Sequence, residues 1–140
     1  MIEPGVADYP LAETRPDQVR ARSGKPMDAI TLDAVLAGEI SMEDLRIDAS
    51  ALRQQAAIAR TAGRGTLARN LERGADLVAV PNDVIMGIYD LLRPGRARSK
   101  DELLAAARTL RDDYGAATVA AFVEEAAEVY ELRGLFRFRF

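Results

Sequence analysis

The chain has 140 residues, 49% of them hydrophobic, and a formal charge of −3 from 19 basic and 22 acidic side chains; it contains no histidine and no cysteine. Those absences exclude disulfides, thiolate nucleophiles, thiolate metal centres and imidazole chemistry, so any catalysis would rest on carboxylates, Lys, Arg, Tyr or Ser. The acidic balance disfavours nucleic acid and anionic membranes as partners. No run reaches the roughly eighteen apolar residues of a spanning helix, and no leader pattern opens the chain, so a soluble cytoplasmic domain is expected.

Residues 1–30 hold four of the six prolines, Pro4, Pro10, Pro16 and Pro26. Each fixes φ and keeps its predecessor out of the helical region, so no continuous helix runs through this stretch. Val6, Tyr9, Leu11 and Val19 are interleaved with charge and gain little by packing on their own domain. The segment reads as an extended arm that is either disordered or laid along a partner.

From residue 31 to 135 the punctuation is helical. Thr31 caps a short segment carrying Leu32, Val35 and Leu36 that ends at Gly38, and Ser41 with Asp44 opens another around Met42 and Leu45. Asp48 or Ser50 starts an Ala-rich helix that stops at Gly63. Its successor begins near Thr66, with Leu67, Leu71 and Val78 on one face and Arg69, Glu72 and Arg73 on another. Past Pro81, Asn82 is expected to cap a helix carrying Val84, Ile85, Ile88, Leu91 and Leu92, with Asp83 complementing its dipole.

Pro94 and Gly95 end that helix. Ser99 and Glu102 then form a capping box before Leu103, Leu104, Ala107 and Leu110. The last helix shows Val119, Phe122, Val123, Ala126 and Tyr130 at three- and four-residue spacing, with Glu124, Glu125, Glu128 and Glu131 facing outward. The expected fold is all-α: a compact bundle of five to six short helices, preceded by the arm and followed by a tail at 136–140. That tail, FRFRF, sets Phe136, Phe138 and Phe140 on one side when extended, an aromatic row that either frays or docks in a groove.

Candidate chemistry is thin. Asp112 with Asp113 and Glu124 with Glu125 are adjacent pairs in polar surroundings, and adjacent helical residues do not face each other as an acid and base must. The turn of Gly63 to Gly65 follows a helix, whereas a phosphate-cradling loop follows a strand and carries a longer glycine pattern. Tyr89 and Tyr130 read as core or interface aromatics. Arg93, Arg96, Arg98 and Lys100 make the sole cationic cluster, suited to a phosphate or to carboxylates of a partner, or else to a plain exposed linker.

Several strings together go beyond such generic features: YPLAETRPDQV (9–19), TLDAVLAGEISMEDLRI (31–47), ALRQQAAIARTAGR (51–64), the long run from Leu67 through VPND and LLRPGR to Leu104, and AAFVEEAAEVYELRGL (120–135). With these the chain resembles the small subunit of coenzyme B12-dependent propanediol and glycerol dehydratases, over nearly its whole length. The resemblance implies a lyase complex of large, medium and small subunits, two of each, that turns vicinal diols or glycerol into aldehydes and water. It implies adenosylcobalamin held by the other subunits and a small subunit without catalytic, cofactor-binding or metal-binding residues.

On that footing Tyr9, Pro10 and Leu11 of the arm and Arg93, Pro94 and Arg96 of the basic loop are the expected contacts with the large and medium subunits. The alternative is a free-standing helical adaptor using the same surfaces. Only eight residues precede Tyr9, too few for a stable targeting helix, so encapsulation in a microcompartment through this subunit is not expected. The resemblance runs to Leu135 and assigns FRFRF no role.

Overall fold

A computed structural model describes residues 3–136 of the chain. The described residues contain no β-strand, and the all-α expectation holds. The contacts divide the chain into two compact units, with the boundary between Ala75 and Asp76.

In the first unit, the proline-rich stretch forms single 3-10 turns at Val6–Asp8, Pro16–Gln18 and Met27–Ala29 and one α turn, α1 (Leu11–Thr14). Its start is tied down by Val6 N, which donates to Thr61 Oγ1 at 3.0 Å. Two more short helices follow, α2 (Leu32–Leu36) and α3 (Met42–Leu45). Thr31 Oγ1 accepts from Ala34 N at 3.2 Å and caps α2. Gly38 ends it with φ +75°, a conformation in which a Cβ would be strained.

Helix α4 (Ala49–Thr61) is capped by Asp48, whose Oδ1 accepts from Ser50 N at 2.6 Å and Ala51 N at 3.2 Å. It turns back into α5 (Gly65–Leu77), which starts at Gly65 and ends before Val78. The core here is built of small side chains, with Ala56 and Ala59 of α4 against Ala68 of α5 and Leu71 at its edge. Alanine supplies little apolar area, so this unit has a thin core.

The second unit is better filled. Helices α6 (Asn82–Leu92), α7 (Lys100–Asp112) and α8 (Ala117–Leu132) carry it. Leu103, Ala107 and Leu110 repeat at four and three residues along α7. They meet Val119, Ala120, Val123 and Ala127 of α8, and Val84, Ile85, Ile88 and Leu91 of α6 pack against this seam. Between α7 and α8, Gly115 (φ +65°) lets Ala116 N reach back to Leu110 O at 2.8 Å, closing the turn.

Three expectations need correction. Asn82 is the first helical residue and gives no side-chain cap; Pro81 stands at the cap position with extended ψ. The box before α7 is split: Ser99 Oγ accepts from Glu102 N at 3.3 Å, but the Glu102 carboxylate takes Arg98 N at 2.8 Å, one residue further out. On α8 the buried stripe runs through Val119, Ala120, Val123 and Ala127, which turns Phe122 partly to solvent. Outside its glutamate face the helix is apolar over a broad arc, so periodicity alone could not choose between neighbouring stripes.

Phe136 folds back onto this core, its ring 6.1 Å from that of Tyr130. Tyr130 in turn donates its hydroxyl to Leu92 O. The rest of the FRFRF row lies outside the described residues.

Candidate partner interface

The expected contact residues fall in two places. Tyr9 stands exposed at a cis Tyr9–Pro10 bond, and Leu11 begins α1 half-buried. Arg93, Pro94 and Arg96 are exposed after α6, where both guanidinium groups lie 3.7 Å from Asp90 and so share one carboxylate. The arginine cluster is thus partly neutralised by its own helix. Lys100 points away from it, to Glu128 at 2.8 Å and Glu131 at 2.7 Å on α8. On α6 itself, Met86 and Tyr89 are both exposed, which settles Tyr89 as a surface aromatic.

A larger apolar surface lies elsewhere, on α2, α3 and their flanks. Leu32, Leu36, Met42 and Ile47 are 67–76% exposed, and Leu45 and Val35 also face solvent. Helices of four or five residues cannot persist by propensity and are here held by caps and polar ties. Sequence reading identified all of these but Ile47 as the apolar members of two short helices and missed that they face outward. The signal available was the mismatch between so many large apolar residues and an Ala-based core beside them.

What holds this surface in shape is Asp44, the buried charged residue among those described. Its Oδ2 accepts from Ser41 N at 2.8 Å, Ser41 Oγ at 3.2 Å and Lys25 Nζ at 2.9 Å, while Oδ1 accepts from Ser23 Oγ. Lys25 Nζ also donates to Glu39 O at 2.6 Å. One carboxylate thus joins the turn at residues 20–26 to the N-terminus of α3. The Ser23 hydroxyl, then the Ser41 N–H and the Lys25 ammonium, hold the Asp44 carboxyl far below the ordinary aspartate range against the opposing effect of burial.

Because the folded pKa is depressed, the tie contributes in full above the unfolded aspartate value of ~4 and is lost as pH falls well below it. Asp44→Asn should free the turn at neutral pH. Amide exchange at Ala21 and Gly24, which donate to Lys25 O and Ala21 O, is expected to quicken by about an order of magnitude. Wild-type exchange rates in the variant would show that Asp44 does not hold the turn.

Asp112 and Asp113 are solvated, and Glu124 is occupied by a two-pronged pair with Arg111, at 2.7 and 2.9 Å. Among the described residues no group of three His, Cys, Asp or Glu side chains could hold a metal ion, and no helix is long and apolar enough to cross a membrane. A cleft of about 400 Å³ beside α2 is lined by Asp28, Ala29, Thr31, Asp33, Ala34, Ala37 and Glu39.

Residues 5–137 match the model of a protein family described as dehydratase small subunit. Two curated relatives, from Citrobacter freundii and from Salmonella typhimurium strain LT2, are each called propanediol dehydratase small subunit. Each is 49% identical over 125 residues, which cover 89% of this chain and 72% of the relative.

Proposed function

Since the chain belongs to the dehydratase small-subunit family, we propose that it is the non-catalytic small subunit of a coenzyme B12-dependent diol or glycerol dehydratase. In this reading it works in the cytoplasm with a large and a medium subunit, two copies of each, and the complex converts vicinal diols or glycerol to aldehydes and water. The observation that carries the reading is the match over residues 5–137. The thin core beside a broad apolar surface supports it, because such a surface gains most when a neighbour covers it.

In this reading adenosylcobalamin is held by the other subunits. There is no histidine to meet cobalt, and the cleft beside α2 sets Asp28, Asp33 and Glu39 where the cofactor's phosphate would be repelled. The cofactor therefore belongs to the other subunits in this proposal, and no step of the reaction is assigned to this chain.

Co-expression with a large and a medium subunit should give one co-purifying complex with diol dehydratase activity, and omitting this chain should reduce its yield and activity. A complex of full activity without it would overturn the proposal. Within the same experiment Arg96→Glu should weaken co-purification while leaving the helical content of the isolated chain unchanged. Undiminished recovery would remove the loop after α6 from the contact.

A further inference from the structure

From Pro26 to Leu45 the chain contains no Lys or Arg but carries Asp28, Asp33, Glu39, Glu43 and Asp44. Two of these carboxylates have cations from the flanks: Asp44 holds Lys25, and Glu43 lies 3.3 Å from both Arg22 and Arg46. The other three, Asp28, Asp33 and Glu39, are exposed and have no ion pair among the described residues. All three line the cleft beside α2, together with Ala29, Ala34 and Ala37. Around α2 itself, Leu32 and Leu36 lie one turn apart on one side, and Asp33 and Ala37, also one turn apart, lie beside them. An exposed apolar strip and an unneutralised acidic cleft are therefore neighbours on one short helix.

Resting on the reading above, we propose that this face of α2 and α3 docks onto the large dehydratase subunit, at a surface that is apolar with a basic rim, and that an Arg or Lys of that subunit enters the cleft. The apolar strip supplies the burial. The three carboxylates choose the partner, because none of them has an ion pair among the described residues.

The same charge pattern argues against the other occupants. A second copy of this chain, related by a two-fold axis through this cleft, would set the acidic patch against itself. An anionic lipid surface would meet the same repulsion. The alanines leave room for a long side chain, and a guanidinium suits carboxylates placed at the rim.

The test uses the co-expressed complex and two variants of this chain. Leu36→Glu puts a charge into the strip and should weaken recovery with the tagged large subunit by roughly a hundred-fold. The combined variant Asp28→Asn, Asp33→Asn, Glu39→Gln keeps shape and removes charge. It should associate on the order of ten-fold more slowly at low salt, with the difference from wild type closing as salt rises. All four positions are exposed, so the helical content and melting of the isolated variants serve as controls; should Leu36→Glu unfold the chain, the charge-neutral variant still decides.

Wild-type recovery and association rates for the neutral variant would overturn the assignment while leaving the family reading in place. Failure of the wild-type chain itself to co-purify would remove the proposed role in the dehydratase complex and the docking surface together. An isolated chain that forms a dimer dissolved by Leu36→Glu would show that a second copy covers the face, and would also overturn it.

Discussion

Leu110→Ala is expected to cost the second unit about 3–5 kcal/mol, the largest loss from any single truncation considered. Leu110 is wholly buried on α7, with Leu103 and Ala107 on the same face and Val123 of α8 in the same cluster. Removing its branched end deletes buried apolar volume at a place where both sides are regular helix, and regular helices collapse poorly onto a void. Three of the four tyrosines, Tyr89, Tyr114 and Tyr130, lie beyond residue 75, and there is no tryptophan. Tyrosine fluorescence during urea unfolding therefore reports chiefly this unit. A midpoint shift equivalent to less than ~1 kcal/mol would mean that the seam is not packed as described.

Asp76→Ala should be the next most damaging substitution, at about 1–2 kcal/mol. Helix α8 has no cap of its own, because Ala116 at the cap position carries no acceptor. Asp76 Oδ2 supplies one from elsewhere, taking Thr118 N at 2.7 Å and Val119 N at 3.3 Å. Its negative charge also faces the positive end of the helix dipole. Asp76→Asn keeps an acceptor without the charge and should lose roughly half as much. Equal melting of both variants and wild type would show that α8 begins without help from Asp76.

The contrast between these two positions shows what the sequence made readable. Leu103, Ala107 and Leu110 announced themselves by spacing, and Thr31, Asp48 and Ser99 by standing immediately before apolar runs. These are local signals, and the structure keeps them. Asp76 could not be found that way, because its partners lie 42 and 43 residues along the chain. Asn82 had the right chemistry for a cap, but Pro81 took that position and moved Asn82 inside the helix.

The candidate interface was legible in its parts and hidden in its orientation. Leu32, Leu36, Met42 and Leu45 fit helical spacing whether they face inward or outward, and only the small size of Ala56, Ala59 and Ala68 shows that the adjoining core has little room for them. Arg93 and Arg96 stood out as cations, yet their common neighbour Asp90 acquires its role only once α6 ends where it does.

The paired helices α7 and α8 carry one more implication. Lys100 at the beginning of α7 grips Glu128 and Glu131, while Arg111 near its end grips Glu124. Sliding one helix past the other by a single turn, about 5.4 Å, would break the leucine seam and at least one of the two grips. The alignment of this hairpin is thus encoded twice, in greasy teeth and in electrical latches, and two fragments cut at Gly115 would have one in-phase way to rejoin.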